Sequence, residues 1–350
     1  MSTPPRIVVR KAQEADYDAV IDITKEFALG ADYIYVQYSE LINDPDSSYY
    51  VCEVDGEVAA FEGVSLVDDN NTLMARSARV KDKFRGQGLL NQIRKKIYED
   101  YKDVPGQKRI RTCCANIVRL VDSATFRSQN RLIGTRALTI YDPLQGVQVP
   151  DAYINDIPGV RTVDSEILRT IFQDKELTSY LFPKGFLVVI SWFFEPLVSN
   201  IKQVQKQRPY ISISATLDKY IEQLNSTSNA EELQLDSREN KADKGPSGLL
   251  VICAHYETPT MIYCHTEVYG KPQQGLEDYE LRPILLHSVK HAISIMEQTK
   301  LPLALGISTD NDELLQVCKS MVAPLGFQHR EMGAFKNHSF FEQQFEKLVN

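Results

Sequence analysis

Arg85, Gly86, Gln87 and Gly88 draw attention first, because of what flanks them. Before them, Thr72 to Val80 (TLMARSARV) reads as an imperfectly alternating strand with Leu73, Ala75, Ala78 and Val80 apolar. After them, Leu89, Ile93, Ile97 and Tyr101 recur every four residues, with Leu90 alongside. Arg94, Lys95, Glu99 and Asp100 fill the other faces, as in a helix packed on a sheet along one stripe. The two glycines therefore sit between a strand and a helix N-terminus. The first helical turn leaves N–H groups unpaired, and the helix dipole favours negative charge there. Glycine lets backbone approach a phosphate with no Cβ in the way. The amides of Gln87, Gly88, Leu89 and Leu90, with Arg85 nearby, make a candidate pyrophosphate cradle, an ordinary strand–helix turn being the plain alternative. Two nucleotide motifs are excluded: Asn91 stands where a dinucleotide fold needs its third glycine, and no Gly-Lys-Ser/Thr is present.

Other residues carry chemistry less visibly. A hairpin from Tyr49 to Val67 turns at Asp55-Gly56, and its second arm sets Glu62 among Ala59, Ala60, Phe61 and Val64. A carboxylate there is costly to bury unless paired, with Arg76 or Arg79 on the next strand, or used as a base. Tyr33, Tyr35 and Tyr38 cluster before a turn at Asn43-Asp44-Pro45-Asp46; they either cap the core or line a pocket. His287 and His291 have the i,i+4 spacing of zinc ligands, but position 288 is Ser288 and no third ligand suggests itself, so no metal is expected. Six cysteines without a Cys-x-x-Cys pair read as buried thiols in a reducing compartment.

Val80-x-x-x-x-Arg85-Gly86-Gln87-Gly88 resembles the acetyl-CoA loop of the GCN5-related N-acetyltransferases, whose signature is Gln/Arg-x-x-Gly-x-Gly/Ala; Leu90 departs at the last position. The resemblance implies an α/β fold on a mixed sheet, acetyl-CoA as co-substrate, and a cofactor contact set of Arg79, Val80, Arg85 to Leu90 and Asn116. A strand (Arg109 to Ala115), a helix (Ser123 to Arg131) and a strand (Leu132 to Ile140) follow, like the back half of that fold. Phe126 stands where many members carry a tyrosine that protonates the leaving thiolate. Segments across the chain are similar to the histidine N-acetyltransferases, among them Ala31-Asp32-Tyr33, Phe61-Glu62-Gly63-Val64, Phe182-Pro183-Lys184-Gly185, Trp192 and Glu267-Val268-Tyr269-Gly270. That likeness implies transfer of acetyl to the α-amino group of free L-histidine by direct attack on the thioester. Another small amine, a protein N-terminus, or a non-catalytic CoA-binding scaffold are the alternatives. Glu62 is then the first candidate base and Glu267 the second; amides around Arg79 and Val80 would stabilise the oxyanion. Tyr33, Tyr35, Tyr38 and Trp192 would line the acceptor pocket, with Arg76 meeting the substrate carboxylate.

A chain of 350 residues allows one large or two medium domains. We expect an acetyl-CoA-binding unit over 1–145, a proline-marked linker, and a degenerate second copy over 146–350 that lacks Arg-Gly-x-Gly before its helix at Asp278 and carries a mobile loop near 225–247. A net charge of −8 argues against general nucleic-acid binding. No apolar run is long enough to span a bilayer, and no signal peptide is evident, so a cytoplasmic protein is expected; the resemblance implies a small amino acid as its partner. Oligomeric state stays open.

Overall fold

The computed structural model describes residues 4–24, 32–106, 109–115, 124–143, 159–231, 245–272, 277–330 and 337–348. Two compact units emerge. The first comprises Met1–Thr135, Tyr256–Tyr263 and Asn337–Asn350; the second comprises Arg136–His255 and Cys264–Lys336.

In the first unit, β1 (Ile7–Lys11), β2 (Ser47–Val54), β3 (Glu57–Val67) and β4 (Thr72–Val80) form an antiparallel run, and β5 (Arg109–Ala115) joins β4 in parallel. The expected hairpin turn holds Asp55 at φ 52° and Gly56 at φ 83°, two left-handed positions whose twist matches that of the strands they join. Two short helices, α1 (Tyr17–Ile21) and α2 (Ile34–Ile42), precede the hairpin. Helix α3 (Leu89–Tyr101) follows β4, and its stripe is the one the sequence marks: Leu89, Ile93, Ile97 and Tyr101 are buried. They pack on Ala60, Val64, Leu73 and Ala75 of β3 and β4. Each such burial contributes roughly 1.5–3 kcal/mol, which fixes α3 against the sheet and hence fixes the loop before it.

Helix α4 (Ala124–Gln129) and strand β6 (Arg131–Pro143) come next, and the division between units falls inside β6. The far neighbour of β5 is the C-terminal strand Asn337–Gln344, antiparallel over His338↔Ala115 to Gln344↔Arg109. Arg111 binds Asp68 (2.9 Å) and Glu342 (3.1 Å), and Arg131 binds Glu342 (2.7 Å), tying that strand to β5 by charge as well as by backbone.

The second unit orders its strands as β7 (Val160–Thr162), β10 (Tyr210–Ser214), β11 (Gly248–Glu257), β12 (Ile262–Lys271), β13 (Leu303–Thr309) and β6, with β14 (Phe327–Arg330) also pairing β6. Its helices are α5 (Ser165–Gln173), α6 (Lys175–Leu181), α7 (Ile201–Lys206), α8 (Ala215–Glu231), α9 (Glu277–Thr299) and α10 (Asp312–Val322). The apolar run near Phe186–Trp192 forms a hairpin. β8 (Leu187–Val189) and β9 (Trp192–Phe194) pair around Ile190, which adopts φ 63°. Helix α8 carries the chain through residue 231, so the first residues of the expected 225–247 loop are helical; 232–244 lie outside the described residues. No described helix is long and apolar enough to cross a membrane.

Candidate active site

The loop between β4 and α3 is built as a cradle. Gly86 and Gly88 adopt φ 77° and 74°, Gly88 being the N-cap of α3. A Cβ built on either glycine meets nothing within 4 Å. Both therefore border open space with backbone alone. The carbonyl of Gly88 accepts from Asn91 (3.0 Å) and Gln92 (3.2 Å), and helix geometry leaves the Leu89 and Leu90 amides ahead of any intrahelical acceptor. Leu90 is half-buried and packs against the core under α3. Gln87 donates from its side chain to the Lys83 carbonyl (3.3 Å), and Arg85 forms an exposed pair with Asp82 (2.8 Å).

A second feature opens beside it. β4 and β5 pair only from Thr72↔Arg109 to Ala75↔Thr112, so Arg76–Val80 and Cys113–Ala115 run on without that pairing. The departure coincides with a bulge. Phe61 faces Arg79 and Gly63 faces Arg76, so Ser77 and Ala78 together oppose Glu62, with Ser77 at φ 58°. Lys81 donates to Ala59 of β3 (2.8 Å); the alternation of an antiparallel pair then turns the Val80 N–H away from β3, toward the unpaired edge. Glycine backbone bordering open space at the helix start thus adjoins a strand edge bearing an outward amide. Asn116 lies outside the described residues.

The sheet separates the remaining candidates by face. Glu62 is fully buried and points with Ala60 and Val64 toward α3, where Arg94 binds it through Nη2 (3.2 Å) and Nε (3.4 Å). Its partner is thus neither Arg76 nor Arg79. The carboxylate raises the Arg94 guanidinium above its ordinary pKa. Within reach of these two charges, burial pushes the Cys114 thiol up to about 11.

On the opposite face stand Tyr33, Arg76 and Arg79. Arg79 makes a fully buried ion pair with Asp32 (2.7 Å), and Asp32 also accepts from the Ile34 amide (3.1 Å), so this pair fixes the start of α2 against β4. The Arg76 guanidinium lies 5.9 Å from the Tyr33 ring centre and 5.8 Å from that of Tyr49. The Tyr33 hydroxyl meets Ser77 Oγ at the bulge (2.6 Å). Tyr33 also packs edge-on against Tyr256 (5.8 Å), which packs against Tyr263 (5.2 Å). Tyr38 belongs to the core instead: it donates to the Gln13 carbonyl (2.8 Å) and leans on Tyr17 and Phe61. Tyr35 contributes its carbonyl, which accepts from Tyr17 (2.9 Å). Phe126 packs edge-on against Phe341 (5.0 Å).

Glu267 and Trp192 belong to the second unit. Glu267 is fully buried on β12, 2.7 Å from Arg136 Nε and 3.1 Å from His265. Arg136 also binds Asp310 (2.9 Å) and lies over the Tyr269 ring (4.3 Å). Burial, helped by the Arg136 charge, lowers His265 to about 3. Trp192 is buried on β9 beside Phe194 (5.9 Å). His287 and His291 both stack on Tyr210, at 5.4 Å and 4.7 Å, and His287 Nδ1 meets the Tyr210 hydroxyl.

Sequence reasoning passed over Tyr49, Arg94 and Tyr256. Arg94 reads as a solvated helix position, and Tyr256 reaches the first unit only through the tip of a hairpin far along the chain. A glycine inside a strand, Gly63, was a usable signal for close approach.

Over nearly its whole length the chain superposes on a GCN5-related N-acetyltransferase from Sphaerobacter thermophilus (TM-score 0.51, 13% identity, 98% of this chain and 97% of that one). It matches a tandem GNAT protein from the clavulanic acid biosynthesis pathway equally well (TM-score 0.51, 12% identity, 97% and 99%). In fold, the chain is similar to the GCN5-related N-acetyltransferases. No family model matches it. Among curated proteins it is similar to the histidine N-acetyltransferase of Scomber australasicus, 20% identical over 210 residues, 56% of this chain and 61% of that protein. It is also similar to that of Oreochromis niloticus, 28% identical over 78 residues, 22% and 23%. The matches thus span less than two thirds of either relative's length.

Proposed function

We propose that the chain is an acetyl-CoA-dependent N-acetyltransferase acting on the α-amino group of a free amino acid, with L-histidine the favoured acceptor. The observation that carries this reading is the open cradle of Gly86 and Gly88 at the start of α3, adjoining the strand edge where β4 leaves β5. Amides of Gln87 to Leu90, with Arg85, would hold the pyrophosphate. The Val80 amide at the unpaired edge would steady charge on the thioester oxygen. Acetyl-CoA supplies the activated acetyl group.

The chain's own residues do the rest. Arg76, between the Tyr33 and Tyr49 rings, offers a fixed cation to a carboxylate. Glu62, opposite the bulge, is the proposed acceptor of the ammonium proton, reached through water because its side chain lies on the α3 face. The second unit is proposed as a degenerate copy of the fold, and Tyr256, which belongs to the first unit and packs on Tyr33, as part of the acceptor wall. Six cysteines present as thiols accord with a cytoplasmic protein. A non-catalytic CoA-binding protein is the second reading, favoured by Phe126, which packs apolar against Phe341 and has no proton to give.

Thiol release from acetyl-CoA, followed with purified protein and a panel of the twenty amino acids and short peptides, tests this. A selective signal with L-histidine is expected. Signal with another amine discards the acceptor and keeps the chemistry. Acetyl-CoA binding without release on any acceptor turns the choice to the non-catalytic reading.

A further inference from the structure

Three strands align one residue each on the α2-facing side of the first unit. Tyr49 on β2 is registered with Gly63 on β3, and Gly63 with Arg76 on β4. The middle position has no side chain, and the Tyr49 ring lies in the room that leaves. A Cβ on Gly63 would come within 2.2 Å of Tyr49 Cε1 and 2.7 Å of Cζ. The ring therefore crosses over β3, with the Arg76 guanidinium 5.8 Å from its centre and Phe61 stacked against it at 5.5 Å. Tyr49 is 2% exposed, and its hydroxyl meets no hydrogen-bond partner among the described residues. A buried hydroxyl without a partner is costly. Nothing in the packing of Tyr49 requires one, since phenylalanine would fill the same space. A donor kept in that place beside a guanidinium suits an acceptor-only, anionic group that arrives from outside.

The geometry points to Tyr49 as the residue that makes this site select acceptors bearing a carboxylate, its hydroxyl and the Arg76 guanidinium together holding the α-carboxylate of a free amino acid. This rests on the acetyltransferase reading and narrows it: an amine lacking the carboxylate leaves the buried Tyr49 hydroxyl unmatched, and a site with a buried donor discriminates strongly against such analogues.

The test compares L-histidine, L-histidinamide and histamine as acceptors for the wild-type protein and Tyr49→Phe, with thermal unfolding of both. Wild type is expected to prefer L-histidine. The variant should raise KM for L-histidine by about tenfold to a hundredfold, as loss of one hydrogen bond to a charged group does. It should leave KM for the two carboxylate-free amines close to wild type, and its melting temperature should not fall. If wild type acetylates histidinamide or histamine as readily as L-histidine, the acetyltransferase reading stands and this inference is overturned. If the variant keeps the wild-type preference but melts lower, the hydroxyl serves an internal water and the inference again fails. If wild type acetylates no amine at all while binding acetyl-CoA, the functional reading itself has failed and takes the inference with it.

Discussion

Gly86 and Gly88 lack a side chain for different purposes than Gly63 does. The first two border empty space in left-handed conformations, while the third gives its room to a neighbouring ring. Gly88→Glu therefore adds both strain and a carboxylate at the mouth of the α3 dipole, where an anionic ligand would sit. Acetyl-CoA binding by calorimetry should disappear while the melting temperature changes little; retained affinity would remove the loop from the site. Glu62 poses the opposite problem, being a buried charge with a partner already in place. Glu62→Gln should lower turnover by about a hundredfold, within the range of lost general-base catalysis, with acetyl-CoA affinity preserved. Normal turnover would assign Glu62 to its pair with Arg94 alone. The sequence made the cradle and Glu62 legible because glycine pairs and stray carboxylates stand out in a line of text. Which face Glu62 took was not legible: the bulge at Ser77-Ala78 depends on a left-handed serine that no residue type announces.

At the scale of elements, strand and helix periodicity carried most of the fold. α3 shows why: four apolar residues spaced by four leave one way to lie on a sheet. Short apolar stretches were ambiguous. The run ending at Trp192 looks continuous, yet it turns at Ile190 because β8 and β9 pair with each other, a choice set by tertiary packing rather than by local pattern. β12 carries a testable electrostatic load. His265, on that strand, has its folded-state pKa lowered to about 3 from an ordinary 6.5, chiefly by burial. His291 on α9 is lowered to about 4 for the same reason. Between these values and 6.5 the unfolded chain binds protons that the folded chain refuses, so stability is present above pH 6.5 and is lost as pH falls toward 4. Each histidine can contribute a slope of up to about 1.4 kcal/mol per pH unit. Denaturant melts of wild type and His265→Gln from pH 7 to pH 5 should show a shallower decline in the variant; parallel declines would mean that His265 does not differ between the two states.

The chain as a whole is less divisible than its sequence suggests. A proline-marked stretch after residue 143 invites a cut, but the first unit draws its strand next to β5 from Asn337–Gln344 at the other end of the protein. That segment brings Phe341 onto Phe126, Phe345 onto Tyr98 (5.1 Å) and Leu348 into the core under α3. Burying those three side chains contributes roughly 5–9 kcal/mol, comparable with the net stability of a typical domain. Removing the segment also takes Glu342 from Arg111, leaving that guanidinium with Asp68 but without its second carboxylate. No local pattern encodes such an exchange, since a strand's sequence fixes its faces but not its neighbour. A chain ending at residue 135 or at Lys336 should therefore fail to form a cooperatively folded acetyl-CoA-binding unit, although both retain Gly86, Gly88 and all of α3. Soluble yield, thermal unfolding and acetyl-CoA affinity of the two truncations against the full chain decide it. A cooperative melt with wild-type acetyl-CoA affinity in residues 1–135 would show that the C-terminal strand decorates the first unit rather than completes it.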